Sequence, residues 1–380
     1  MRMYSDHFTL DPSVIYLNHA AVSPWPNVAV EAVSSFAREN GQTGALRYPD
    51  WMQQESALRA SLARLINASS IDDIALLKST SEGLSVVAHG LDWHVGDNVV
   101  SIAQEFPSNR IVWQSLESSG IEVRLLDLEA ESDPEQALMA LCDKNTRLLA
   151  VSSVQYATGR RMRLSDLGQF CRQNHILFVV DAIQSLGALP FDLNETLADV
   201  VVADGHKWML GPEGLALFYC RAELRERLQL HQYGWHMVET AWDFEASSWR
   251  PADSARRFEC GSPNMLGAHA LLASLELLQG IGIEQILSRI EVNTAACIEQ
   301  IDRRGFELLT PRARDQRAGI VTFRVPDSDT HALQQELMKH KVVCAERGGG
   351  IRFSPHFHNT PEQIARAFET LDQLRSQASY

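Results

Sequence analysis

Six short aliphatic runs, spaced between about residues 55 and 220, constrain the fold of this chain more than any other feature. They are Ile74–Leu77, Asn98–Ile102, Val123–Leu126, Leu148–Ser152, Ile176–Val180 and Val200–Ala203. Most are β-branched or aliphatic throughout, without strict polar–apolar alternation. That is how strands read when both faces of a mainly parallel sheet are covered. Amphipathic stretches such as 109–118 and 164–174 separate several of them. Repeated strand–helix units predict an α/β fold with an open, doubly wound sheet. Ligands of such sheets sit beyond the carboxyl ends of the strands. A polar residue just after an aliphatic run is therefore a candidate for the site.

The pattern changes after Gly261. Helical spacing covers 268–278 and 283–303. Two apolar runs follow, Gly319–Val325 and Ile351–Ser354, and each precedes a helical pattern, at 331–340 and 361–374. These predict a smaller α+β C-terminal domain. The expected division is a large domain over 16–262 and a small one made of 263–380 with residues 1–15.

Composition narrows the classes of function. A chain of 380 residues, 45% apolar and 22% charged, can bury a substantial core. Its formal net charge of −14 repels phosphate backbones, so no nucleic-acid partner is expected. The basic run Arg312, Arg314, Arg317 reads as a solvated loop. No segment approaches the roughly 20 apolar residues of a membrane span, and the start lacks the apolar stretch of a signal peptide. A soluble, cytoplasmic protein is expected. The six cysteines include no CxxC pair and read as reduced thiols. No histidine pairs with a cysteine at ligand spacing, so no metal site is expected.

Three strand ends carry candidate chemistry. Ser79-Thr-Ser-Glu-Gly83 follows the first run and opens a helical pattern. Hydroxyls and free N–H groups there suit a phosphate, and equally an ordinary helix cap. Asp181 follows the fifth run, with Gln184 three residues on. A buried acid needs a positive partner, and a cap is again the plain alternative. Lys207, in Gly205-His-Lys-Trp208, follows the sixth run. A lysine in apolar surroundings loses its charge readily and becomes nucleophilic, unless it snorkels to water. A phosphate cradle, an acid and a lysine, in that order, match the needs of pyridoxal 5′-phosphate (PLP): anion donors, a carboxylate for the pyridine nitrogen and an amine for the aldehyde.

The chain resembles the class V aminotransferase family, fold type I PLP enzymes that include cysteine desulfurases, kynureninases and isopenicillin N epimerase. The resemblance runs from Tyr16-Leu-Asn-His-Ala-Ala21 to Ile351-Arg-Phe-Ser-Pro-His-Phe-His-Asn-Thr360. It is most specific in Val180-Asp-Ala-Ile-Gln184, Gly205-His-Lys-Trp208, Phe258-Glu-Cys-Gly-Ser-Pro-Asn264 and around Arg352. It implies that Lys207 binds the cofactor as an imine and that Asp181 partners the ring nitrogen, the two being the catalytic pair. Thr80, Ser81 and His206 would lie at the phosphate, and Gln184 and Tyr156 at the ring oxygen. Phe106 would stack on the ring, with Asn109 nearby. Ser262 would reach the phosphate of a neighbouring subunit, implying a homodimer. Arg352 would pair with the substrate carboxylate. Asp204, near the expected phosphate, either points away or pairs with His206.

The substrate implied is an amino acid. The first expectation is an aminotransferase or epimerase-like enzyme. The alternative is a cysteine desulfurase, a selenocysteine lyase-like enzyme or another β-elimination lyase. A non-catalytic PLP-binding protein is a reading of another class. Desulfuration needs a thiol over the substrate, and Cys344, eight residues before Arg352, lies on a shorter loop than desulfurases use. It reads better as a small apolar residue at a strand end.

Overall fold

The computed structural model describes residues 4–378; the expectation for residues 1–3 and 379–380 lies outside them. A short strand, β1 (Ile15–Tyr16), precedes two long helices, Asn27–Thr43 and Tyr48–Leu65. Seven strands then build the large sheet: β2 (Ile74–Leu77), β3 (Asn98–Ile102), β4 (Glu122–Leu126), β5 (Thr146–Ser152), β6 (Leu177–Asp181), β7 (Val200–Asp204) and β8 (Ala216–Cys220). Their spatial order is β2-β8-β7-β6-β5-β3-β4. Every pairing from β7 across to β4 is parallel, and only β8 runs against its neighbours. The carboxyl ends of the other six strands therefore share one edge.

All six aliphatic runs are strands, each shifted by no more than two residues. β8 was not among them. It is reversed, and its Ala-Leu-Phe-Tyr-Cys run is buried on both faces like its parallel neighbours. Apolar side chains cover both faces of the sheet. On one face Leu58, Leu62, Leu167, Leu271 and Leu275 pack against Val151, Val180 and Val201. On the other Leu84, Val87 and Trp113 pack against Val99, Val179 and Val202. The helix Met265–Ile281 joins the first of these cores through Leu271, Leu272 and Leu275.

The C-terminal part holds β9 (Glu307–Leu308), β10 (Val321–Arg324), β11 (Val342–Val343), β12 (Ala345–Arg347) and β13 (Gly350–Phe353). Four of these form an antiparallel sheet in the order β12-β13-β10-β9. The fifth, β11, pairs in parallel with β1. Phe323, Phe353 and Phe368 centre the core there. Just beyond β1, Asn18 bridges to Ser354 past β13. The N-terminal segment thus ties the end of β13 to the large sheet. No single helix among the described residues is long and apolar enough to cross a membrane.

Candidate active site

The strand ends converge where the sequence placed its candidates. After β2, Ser79 caps the helix Thr80–Gly90, its Oγ accepting from Glu82 N–H at 3.2 Å. Thr80 is buried and accepts from Asp204 N–H at 3.0 Å. Ser81 Oγ donates to Ser108 Oγ at 2.8 Å. The helix start is thereby tied to the end of β7 and to the loop after β3. His206 Nδ1 lies 2.9 Å from Asp204 Oδ1, so the two pair with each other.

β6 ends on Asp181, buried and paired in register with Ser152. Its Oδ1 accepts from Ile183 N–H at 3.0 Å, and Oδ2 accepts no hydrogen bond among the described residues. Burial raises its proton affinity; the Ile183 bond and the Lys207 charge oppose that, and Glu105 adds to it.

Three residues beyond β7, Lys207 is only 7% exposed, with Nζ 5.4 Å from the Phe106 ring centroid. It makes no ion pair within 4 Å among the described residues. Burial pulls its proton affinity down, and the Asp181 charge works the other way. Its backbone is held from several sides. Ser23 Oγ donates to the Lys207 carbonyl at 2.6 Å. Trp208 Nε1 donates to Gln184 Oε1 at 2.8 Å, and Gln184 Nε2 donates to the Ala20 carbonyl at 3.0 Å. Gly187 (φ 95°) passes so close that a Cβ there would stand 2.3 Å from the Trp208 carbonyl oxygen.

The loop after β3 brings three groups. Phe106 is 38% exposed and meets Tyr156 edge-on at 5.2 Å. Asn109 is turned inward, its Oδ1 accepting from Trp113 Nε1 at 3.0 Å and its side-chain amide beside Glu105. Glu105 is buried and takes hydrogen bonds from Ser152 N–H at 2.7 Å, the Ser152 hydroxyl and Gln155 Nε2 at 3.0 Å.

Arg352, on β13, is 1% exposed. Its Nη1 donates to the Tyr156 carbonyl at 2.7 Å and its Nη2 to Asn18 Oδ1 at 3.3 Å. No carboxylate among the described residues lies within ion-pair distance. Burial and the nearby Arg347 charge oppose its own charge, lowering its pKa to about 9; a guanidinium still stays protonated at neutral pH. A buried, uncompensated cation is costly unless a ligand supplies the anion.

One expected residue, Ser262, stands apart from this cluster, and so does Cys344, which the sequence reads as a small apolar residue. Ser262 is exposed, lines a groove with Lys78 and Glu82, and makes no hydrogen bond among the described residues. Cys344, between β11 and β12, is sealed in the small-sheet core, where burial pushes its thiol up to about 12.

Several groups escaped the sequence reading. Glu105 immediately precedes Phe106 and follows a strand, so the strand-end rule could have found it. His19, His356 and His358 form a buried cluster beside Trp208. His19 Nδ1 faces the Ser354 carbonyl at 2.9 Å and so carries its proton, leaving Nε2 to accept from His358 Nε2 at 2.9 Å. His356 Nε2 donates to the Trp208 carbonyl at 3.1 Å. Asn18 lies in the Tyr16–Ala21 stretch that opens the resemblance, but nothing there gave it a role.

A family model described as Aminotransferase class-V matches residues 15–366. The chain belongs to this family. It is 30% identical over 385 residues to a probable cysteine desulfurase of Pyrococcus abyssi, covering 96% of this chain and 95% of that one. It is also 30% identical to an uncharacterized aminotransferase of Bacillus subtilis, covering 82% of each. Among solved structures it superposes on the apo cysteine desulfurase of Thermococcus onnurineus with a TM-score of 0.88 at 26% identity, covering 98% of both chains. A cystine C-S lyase in complex with cysteine persulfide, its reaction product, gives 0.88 at 25%, covering 95% of this chain and 97% of that one.

The fold is that of fold type I, and the cofactor of this class V aminotransferase-family enzyme is PLP. The residues fit such a group. An amine without a carboxylate partner, a buried carboxylate with one open oxygen, an aromatic face and a hydroxyl-bearing helix start all meet at one edge of the sheet.

Proposed function

We propose that the enzyme is a lyase that breaks the Cβ–S bond of a cysteine-type amino acid by elimination, with no protein thiol attacking the sulfur. The observation that carries this reading is the place of Cys344. Thiolate, not thiol, is the nucleophile. A thiol pushed up to about 12 and packed among Phe323, Phe353 and Leu337 cannot serve as one. The named desulfurases and the C-S lyase among its relatives support a sulfur amino acid as substrate. Transamination or epimerisation would use the same residues, but the comparisons favour sulfur chemistry over both.

Bound PLP supplies an electron sink for the pair released at Cα of an amino acid. Lys207 holds the cofactor, and its amine, kept readily neutral by burial, takes the Cα proton and returns it to the departing sulfur. The open oxygen of the Asp181 carboxylate would partner the ring nitrogen. Gln184 has an N–H left over for the ring oxygen, where Tyr156 is also near. Phe106 would cover one face of the ring. Thr80, Ser81 and His206 would hold the phosphate end. Arg352 receives the substrate carboxylate and so fixes the orientation of the Cα bonds. Asn109, with its engaged Oδ1, steadies the Glu105 loop.

The protein is further proposed to act as a homodimer, with the exposed Ser262 facing the partner's phosphate end. Its six free cysteines agree with a reducing, cytoplasmic setting. The test is product analysis. Holoenzyme given cystine or cysteine should release pyruvate and ammonia with a persulfide or sulfide. Accumulated pyridoxamine 5′-phosphate without pyruvate would contradict the reading.

A further inference from the structure

The strand register places a second arginine beside the site. In the β12–β13 hairpin, Ala345 pairs with Arg352 and Arg347 pairs with Gly350. Cross-strand partners project to the same face, as do residues two apart on one strand. Ala345, Arg347 and Arg352 therefore share the face that Arg352 turns toward Tyr156. Diagonal positions of this kind stand about 7–8 Å apart. Arg347 is exposed at the open end, where the turn through Gly348 rests against Ala157.

Arg347 has no acidic partner among the described residues. Its one hydrogen bond among the described residues goes to the neighbouring Glu346 carbonyl at 2.6 Å. Glu346, on the opposite face, is taken by His331 at 2.9 Å. The contrast with Arg324 is informative: on β10, on the other side of β13, it is neutralised by Glu307 at 2.6 Å. The Arg347 charge is felt by both Lys207 and Arg352, which places it within electrostatic reach of the reacting end.

We infer that Arg347 is a specificity-determining residue that binds a second carboxylate, at the far end of the substrate side chain. The substrate class is then an amino acid with an anionic group at each end, and cystine fits it. This rests on the amino-acid site of the proposed function and narrows it. Arg352 takes the α-carboxylate inside, and Arg347 takes the distal one at the mouth, where a long side chain emerges.

The experiment compares 2-aminoadipate with norleucine as ligands of the holoenzyme, followed through the cofactor spectrum. The two share a six-carbon chain and differ by a distal carboxylate. Neither has a leaving group at Cβ, so binding is read whether or not the enzyme eliminates sulfur. Arg347→Met should weaken 2-aminoadipate about tenfold or more, the loss of a charge-assisted contact, and leave norleucine unchanged. Arg347→Lys should retain part of the preference. Equal weakening of both ligands, or of neither, would overturn the inference. Absence of pyruvate from cystine would instead count against the elimination reading alone.

Discussion

Arg352 reaches from the small sheet to the edge of the large one, donating through Nη1 to the Tyr156 carbonyl at 2.7 Å with no carboxylate among the described residues to balance it. Substitution should therefore separate binding from stability. Arg352→Ala should lower kcat/KM for amino acids roughly ten- to a hundredfold, mostly through KM. The melting temperature should hold or rise, because a buried charge is removed. Steady-state kinetics with a thermal melt checks both.

Lys207 and Asp181 set each other's protonation. Capture of the PLP aldehyde needs a neutral amine, so apoenzyme reconstitution should speed up as pH rises through the Lys207 pKa. Burial puts that midpoint below the usual 10.5. Asp181→Asn removes the charge that holds the proton on Lys207, so the midpoint should move lower still. In the same variant, turnover should fall by about two orders of magnitude or more, since the ring nitrogen loses its anionic partner. Reconstitution rates across pH and single-turnover rates are the measurements.

Cys344 packs in the small-sheet core. Cys344→Ala should leave pyruvate formation within about twofold and cost about 1 kcal/mol of stability through the lost contacts. A collapse of activity with an intact fold would assign the thiol a chemical role.

Acid should loosen the junction between β1, β13 and the lysine loop. Burial drives the pKa of His19 down to about 4, and those of His356 and His358 well below the usual 6.5. A folded-state pKa below the unfolded one gives stability that is present above about pH 6.5 and lost as pH falls toward 4. For His19 alone the swing is on the order of 3 kcal/mol. Urea unfolding between pH 7 and 4.5 should show it, and His19→Gln should flatten the slope.

The parallel sheet was legible because a strand covered on both faces must be aliphatic throughout, and six segments met that demand. β8 met it too, but no helix connects it to β7, so it broke the strand–helix rhythm. Lys207, Asp181 and the Thr80–Ser81 turn were legible because each follows a strand directly. Asn18 and the three histidines were not. Their roles come from contacts across more than 140 residues of chain, as in His356 to Trp208, and no local pattern encodes those. Arg347 was hidden for another reason: only the hairpin register shows that it shares a face with Arg352.

The account rests on one amine holding the cofactor at the edge of the sheet. Reduction of holoenzyme with borohydride, followed by peptide mass mapping, tests this most directly. A pyridoxyl group on Lys207, absent from Lys207→Ala, is the predicted result. The label on another lysine, or no label in a protein that still turns over cystine, would contradict it.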